Sequence, residues 1–445
     1  MTIQLPSKVK FIIDTLTEAG YEAYAVGGCV RDSILGRSPE DWDITTSASP
    51  YQVKQLFHKS IDTGIQHGTV TIIEGKESFE VTTYRLDGEY EDKRHPKEVI
   101  FTANLIEDLK RRDFTINAMA YNETQGLVDV FDGIGDLKKG QIRCVGNPRE
   151  RFMEDALRMM RAVRFAAQLG FYIEENTREM ISILANNLSE ISVERIQAEL
   201  VKLLLSDHPE EMRTVYEIGL SKIFLPEFDR MMVTPQNNPF HCYNVGEHTL
   251  AALQNIRKDK VLRLTMLLHD VAKPLCKVTD EKGIYHFYGH PIKGAQIAKE
   301  ILQRLKFDND TITRVTALVT WHDDMPPLKK AAVRRAIHRV GLEQYPELFE
   351  VKRADTLAKS LYKREEKLSY IAGYEQMYQD ILNKGQCLTL KQLAINGKDL
   401  IKMGIKPGKE MGDLLEHLLE HVLEYPEDNT YKILSNLIKT ERKLE

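Results

Sequence analysis

No apolar run in this 445-residue chain approaches the roughly 20 residues that a helix needs to cross a bilayer. The stretch Met1 to Lys10 also lacks the apolar core of a secretory leader, so neither a membrane anchor nor export is expected. Cysteine is scarce: Cys29, Cys144, Cys242, Cys276 and Cys387 are scattered, odd in number, and form no Cys-x-x-Cys. That excludes a disulfide framework and a thiolate zinc site, and it points to a reducing, cytoplasmic setting. Low-complexity tracts and internal repeats are missing as well, which removes disordered arrays and solenoids. Excess positive charge is the last absence, the formal net charge being −5. A nucleic-acid partner would have to be met by local basic clusters. Lys110-Arg111-Arg112, the Arg158/Arg161/Arg164 series, and Lys329-Lys330 with Arg334, Arg335 and Arg339 qualify. Each of these, taken singly, reads equally well as a solvated helix face.

A chain of this length exceeds one compact core, so two to four domains are expected. Ser7 to Ala19 has the spacing of an amphipathic helix ended by Gly20, and Ala23 to Val26 that of a buried strand. Trp42–Thr46, Thr69–Ile73 and Phe79–Tyr84 read as strands of the same sheet, with shorter ones at Met119–Tyr121, Leu127–Val130 and Gln141–Val145. From Asn147 the pattern turns helical and stays so, punctuated by Gly219, Pro226, Pro235 and Pro239 near a boundary at 225–245. The fold class is α+β: a head of small mixed sheet and helices, then a long all-α remainder.

Chemistry concentrates in a few blocks. Gly27-Gly28-Cys29-Val30-Arg31-Asp32 leads into a helix, and Asp41-Trp42-Asp43 follows in a short apolar stretch. On a strand, residues i and i+2 share a face, so Asp41 and Asp43 would converge, and paired hard oxygen ligands suit Mg²⁺. Backbone amides around Gly27 and Gly28 could meet a phosphate carried by that metal, the layout of nucleotidyl transfer. Glu80, on a neighbouring strand, is either a third carboxylate or an ordinary outward-facing residue. Around Arg112, Asp113 and Asn117, a guanidinium can grip phosphate oxygens while the acid and amide suit ribose hydroxyls. Glu154 to Arg164 reads as one helix in which Asp155 and Arg158, as i, i+3 neighbours, could present donors and acceptors to the pairing edge of a base. The plainer alternative is an intrahelical ion pair of about 0.2–0.5 kcal/mol.

In order and spacing these blocks resemble the class II tRNA nucleotidyltransferases and the related bacterial poly(A) polymerases, of the polymerase-β-like superfamily. Ser192-Val193-Glu194-Arg195-Ile196 extends the likeness, which is dense over about the first 230 residues. The resemblance implies catalytic Mg²⁺ at Asp41 and Asp43, with Glu80 as the third acid. It implies triphosphate contacts from Gly28, Arg31 and Arg112, and ribose contacts from Asp113. Asp155 and Arg158 would select CTP and ATP, Arg161 and Arg164 would add nucleotide contacts, and Glu194 and Arg195 would support the template helix. Asp87 to Ile100 resembles the loop carried by CCA-adding and A-adding enzymes and absent from CC-only ones. Ile395–Leu400 and Gly404–Gly408 resemble the tail signature of the family, or are plain turns and caps.

A second constellation, His248, His269-Asp270, His290, His322 and Asp355, resembles the HD-domain metal phosphohydrolases. Imidazole plus carboxylate suits several transition metals, so His248, His269, Asp270 and Asp355 are expected to hold one ion, with His290 and His322 at a second. The organisation expected is a nucleotidyltransferase head at 1–145, a helical neck and RNA-binding body at 146–230, an HD domain at 231–365, and a helical tRNA-binding tail at 366–445. The expected partners are a tRNA 3′ end, CTP and ATP. The alternatives are an A-adding enzyme or poly(A) polymerase, or, in a different class, a metal phosphohydrolase whose head only binds nucleotide.

Overall fold

Unbroken burial marks the centre of the head's sheet. In the computed structural model, which describes residues 2–87 and 99–442, β1 (Ala23–Val26) and β2 (Ile44–Thr46) are buried at every position. Then come β3 (Ser60–Gly64), β4 (Thr69–Glu74) and β5 (Glu77–Thr83), a separate pair β6 (Arg85–Asp87) and β7 (Val99–Phe101), and β8 (Ala120–Asn122) with β9 (Gly126–Val128). The seven-stranded sheet has the order β3-β4-β5-β2-β1-β8-β9, and in it β2 and β5 run parallel while the other neighbours are antiparallel. The parallel register sets Ile44 against Val81, so the residues just before them, Asp43 and Glu80, lie at the same end of the pair. The expected enzyme-specific loop falls, over 88–98, outside the described residues.

Helices cover this sheet for legible reasons. α1 (Ser7–Glu18) turns Val9, Ile12, Ile13 and Leu16 inward at i, i+3, i+4, i+7 spacing. α2 (Gly28–Ile34) follows β1 directly, and α3 (Pro50–Leu56) opens on a Ser49/Gln52 capping box. α4 (Leu105–Lys110), capped by Asn104, puts Leu105 and Leu109 into a core with Tyr24, Val26, Tyr84, Ala118, Ala120 and Val145. α5 (Gly133–Lys139), α6 (Pro148–Glu154), α7 (Leu157–Leu169), α8 (Glu175–Leu184) and α9 (Val193–Leu204) complete the first unit, Met1–Pro226. The second unit, Glu227–Glu445, is helical apart from the hairpin β12 (Val278–Thr279) and β13 (Tyr285–His286). The break between units coincides with the glycine and proline punctuation. No helix among the described residues is long and apolar enough to cross a membrane, and all five cysteines are free thiols.

Three local expectations are corrected and one strand was not anticipated. The strand expected at Trp42–Thr46 begins at Ile44, so Asp41 and Asp43 precede it, although Asp43 still accepts the Val26 amide at 2.9 Å. Gln141–Val145 is divided. Gln141–Ile142 forms β10, parallel to β11 (Tyr172–Ile173), while Arg143 and Val145 bond back to Thr115 and Asp113. The helix expected through Glu154–Arg164 breaks at Asp155, whose backbone is extended (φ −144°, ψ 103°) between α6 and α7. Finally, β3 had no apolar alternation to announce it.

Candidate functional site

β1, the following turn and α2 form one wall of the first centre. Gly27 sits at φ 82°, and a Cβ there would lie 3.0 Å from Arg112 Nη1, so only glycine serves. Its N–H donates to the Met119 carbonyl at 3.1 Å. The expectation of a phosphate-facing amide therefore falls to Gly28 rather than to the pair.

Opposite stand the acids. Asp41, Asp43 and Glu80 all open to solvent. Lost hydration raises the Asp43 pKa, Arg112 pulls it down, and Asp41 pushes it up again. Glu80 is raised by lost hydration and then by Asp43 and Asp41, which puts the three carboxylates within electrostatic reach of one another. Mutually repelling carboxylates of this kind are a donor set for a hard divalent cation. They are more widely spread than the histidine clusters described below, where ligand atoms lie within 4.8 Å of one another. Arg112 touches the buried Asp108 at 3.5 Å, yet its Nε has no hydrogen-bond partner among the described residues. It thus retains a donor for an anion. Arg31 is engaged instead: it donates to Asp32 at 2.8 and 3.0 Å and to Asn117 at 2.6 Å.

Asp113 is saturated by protein groups. It accepts the Phe114 amide at 2.8 Å, Asn117 Nδ2 at 3.2 Å and Arg161 Nε at 2.8 Å. Burial works against its charge, but Arg161 outweighs burial and the pKa falls to about 2 from 3.8. A carboxylate with a depressed folded pKa stabilises the fold above its unfolded value and loses that contribution as pH falls through both. Between about pH 4 and pH 2 the first unit is therefore expected to lose on the order of 2–3 kcal/mol from this group. Urea unfolding of a Trp321→Phe chain, in which Trp42 is the sole tryptophan, should show that slope, and Asp113→Asn should flatten it.

The residues expected to read the base lie at the α6–α7 break. The Asp155 carboxylate is gripped by Arg195 at 2.7 and 3.3 Å and accepts the Leu157 amide at 3.0 Å. Arg158 donates to Glu154 at 2.6 Å and to the Arg111 carbonyl at 2.9 Å. The two are therefore neighbours with separate partners, not an i, i+3 ion pair. Arg195 holds the Asp155 carboxylate, while Glu194 is exposed.

Behind them α7 is buried nearly throughout. Arg164 pairs with buried Glu199 on α9 at 2.8 Å, and Arg161 lies 3.9 Å from the same acid. Three guanidinium groups surround Phe165, with centroid distances of 5.1 Å for Arg31, 5.4 Å for Arg161 and 3.6 Å for Arg164. Asp108, Glu199 and Phe165 were not singled out from the sequence. Asp108 had a signal, its i+3 and i+4 spacing to Arg111 and Arg112. Glu199 had none, because its partner is 35 residues away.

The second unit brings the histidine series together. His248 Nε2 lies 3.0 Å from Asp355 Oδ1, 3.5 Å from Asp270 Oδ2 and 3.3 Å from His269 Nε2. Asp270 Oδ1 lies 3.4 Å from His290 and 3.7 Å from His322, whose Nε2 atoms are 3.4 Å apart. Each Nδ1 faces a backbone carbonyl, of Ala358, Met266, Phe287 and Val319 respectively, which turns all four Nε2 atoms inward. Burial holds His248 and His322 below the ordinary imidazole range; at His269 the charge of Asp270 overcomes burial and raises it. Asp270 faces both groups, as a bridging ligand would. Lys273, 2.6 Å from Asp270, and Lys359, paired with Asp355, were not anticipated.

Comparison with known proteins follows the same division. Residues 23–143 match the "Poly A polymerase head domain" model, residues 170–232 the "Probable RNA and SrmB-binding site of polymerase A" model, and residues 278–438 a "tRNA nucleotidyltransferase domain 2" model. A CCA-adding enzyme of Lactobacillus delbrueckii subsp. bulgaricus is 55% identical over 212 residues, 47% of this chain and 54% of that protein. The chain thus spans about half the length of the first relatives it matches. One from Limosilactobacillus fermentum is 38% identical over 400 residues, covering 90% of this chain and 88% of its own. The Bacillus stearothermophilus CCA-adding enzyme in complex with CTP superposes with a TM-score of 0.74 at 29% identity, covering 99% of each chain. The Thermotoga maritima CCA-adding enzyme complexed with tRNA shares the fold, with a TM-score of 0.63 at 22% identity. With a poly(A)-polymerase-type head and a full-length likeness of this extent, the chain belongs to the CCA-adding enzyme family.

Proposed function

We propose that this chain adds or repairs the 3′-terminal CCA of tRNA, using CTP and ATP and releasing pyrophosphate, in the cytoplasm. One observation carries the reading: Asp43 and Glu80 stand at the same end of the parallel β2–β5 pair, electrostatically joined to Asp41, with Arg112 facing them. Asp41 and Asp43 would hold Mg²⁺, with Glu80 in support; the ion supplies charge neutralisation at the triphosphate and acidity for the tRNA 3′-hydroxyl. Arg112, its Nε unpartnered, binds phosphate oxygens, and Gly27 leaves the room for its guanidinium. Asp155, fixed by Arg195, offers acceptor oxygens to the base. The CTP complex of the Bacillus stearothermophilus relative supports the pyrimidine nucleotide as a substrate.

The test uses tRNAs ending before CCA and after CC, with CTP and ATP supplied singly and the 3′ ends sequenced. Two cytidines on the shorter tRNA and one adenosine on the longer are expected. Failure to add cytidine would leave an A-adding enzyme or poly(A) polymerase. Asp155→Ala is expected to raise UTP or GTP misincorporation about ten- to hundredfold, the worth of a good base-edge contact, with tRNA affinity little changed. Unchanged fidelity would contradict the template role.

The inward-facing imidazoles favour a second activity in the same chain. His248, His269, Asp270 and Asp355 would hold a divalent transition metal, and Asp270 with His290 and His322 a second. A metal there would supply Lewis acidity toward a phosphoester.

A further inference from the structure

A cavity of about 490 Å³ opens in the first unit between the start of β1, the β8–β9 hairpin and residues 102–106, which lead from β7 into α4. That is the size of a small-molecule site. None of the acids or arginines of the nucleotide centre lines it. Its floor is apolar: Leu105 belongs to the same core as Tyr24, and Val128 packs against that core. Ala103 and Ile106 are exposed at its rim. The connector itself is ordered, the Thr102 amide donating to the Tyr84 carbonyl at 3.0 Å and the Asn104 side chain accepting the Ile106 amide at 2.9 Å.

The charge of this cavity is one-sided. Glu22 is the only acidic or basic side chain in its lining, and no ion pair reaches that carboxylate among the described residues. The residue is built into the wall: its amide donates to Ser47 Oγ at 2.9 Å, its carbonyl accepts the Thr46 hydroxyl at 2.6 Å, and Oε2 accepts the Tyr84 hydroxyl at 3.5 Å. Its field reaches inward. Burial, and then the Glu22 charge, raise the phenols of both Tyr24 and Tyr84. The Tyr24 hydroxyl donates to Gln125 Oε1, which commits its proton and leaves its oxygen as an acceptor. An unpaired carboxylate beside a low-dielectric wall draws a cation. One carboxylate among hydrocarbon is a poor cage for Mg²⁺ or Ca²⁺, which demand several oxygen ligands. It suits an ammonium whose N–H groups meet these acceptors while its hydrocarbon tail displaces water from the floor.

We infer that this cavity binds a small alkylammonium ion, its nitrogen held by Glu22 and Tyr24 and its chain laid against Leu105 and Val128. Glu22 and Tyr24 are two residues apart in extended chain and so share a face. A ligand seated there joins the start of β1 to residues 102–106. It thereby braces the entry to α4, the helix that leads into Arg111 and Arg112.

The experiment is a ligand-observed NMR titration of the full chain with n-butylammonium and with 1-butanol, which has the same carbon chain and no charge. Butanol is expected to bind at least about tenfold more weakly, the loss of one charge-assisted hydrogen bond. Glu22→Gln keeps the shape of the wall and should weaken butylammonium by the same factor while leaving butanol unchanged. Ala103→Trp fills the rim and should abolish binding of both. Both substituted positions are exposed, so the urea midpoint should stay at the wild-type value. Hydrogen exchange of the amides at 102–106 should slow at saturating butylammonium. A wild-type chain that binds no butylammonium overturns the inference, and so does butanol binding as tightly as the amine. Affinity within twofold of wild type in either variant overturns it too, because an ion held elsewhere on the acidic surface would feel neither change. Exchange unaltered at 102–106 places the ion away from the connector and has the same consequence.

Discussion

Replacing Asp43 by alanine is expected to lower CMP and AMP incorporation about a thousandfold, with tRNA affinity changed by less than threefold. The magnitude follows from the charge it would remove. Lewis-acid stabilisation of a transferring phosphoryl group is worth several kcal/mol, and each 1.36 kcal/mol is about tenfold in rate. Asp43 directly precedes β2, its carbonyl bonded to the Val26 amide of β1. The lost hydration and the neighbouring Asp41 charge that raise its pKa are what a bound cation would offset. Asp43→Asn keeps the shape but not the charge, and should fall as far. Glu80→Gln should fall less, because Asp41 and Asp43 would hold the ion and Glu80 would only support it. Single-turnover incorporation with saturating nucleotide separates these effects from binding. Activity within tenfold of wild type in Asp43→Asn would sink the assignment of this residue as a metal ligand.

The ease of reading this acid group from sequence has a physical reason. Asp41 and Asp43 are two residues apart, so they stay within electrostatic reach of one another although β2 starts only at Ile44, after both. Glu80 needed the β2–β5 register, which the sequence leaves open, and the parallel pairing of Ile44 with Val81 supplies it. The histidine series was legible only through its resemblance to the HD-domain metal phosphohydrolases, and the structure gathers its members into two buried clusters around Asp270. Where expectation failed, the deciding contacts were long-range. The helix through Glu154–Arg164 breaks at Asp155, whose carboxylate accepts the Leu157 amide at the start of α7 and is held by Arg195, 40 residues on. Gln141–Val145 divides because two other segments compete for its backbone groups. β3 is an edge strand with largely exposed side chains, so it lacks the alternation that marks a half-buried strand.

The same long-range chemistry underlies the second large effect. Glu199→Ala should cost the first unit about 3–5 kcal/mol, because it leaves the Arg164 guanidinium buried without its carboxylate. The remaining partners are weaker: Arg164 is otherwise held by Gln168 at 2.9 Å and by the face of Phe165, and Asp113, which also attracts it, is already paired with Arg161. The loss should be visible in urea unfolding of the Trp321→Phe chain as a lower midpoint at constant slope. Adding Arg164→Met to Glu199→Ala should recover most of it, since an absent pair costs far less than half a pair. Recovery of stability need not restore function. Glu199 also lies 3.9 Å from Arg161, which holds Asp113, which in turn holds Asn117, the partner of Arg31. That line of ion pairs and hydrogen bonds runs from α9 to the glycine turn, with Phe165 beneath three of its arginines. The double variant is therefore expected to fold at near wild-type stability yet show a raised KM for both CTP and ATP. A double variant as unstable as Glu199→Ala would show that the acid stabilises something other than Arg164. One with normal KM would show that the line ends at α7 and does not reach the nucleotide.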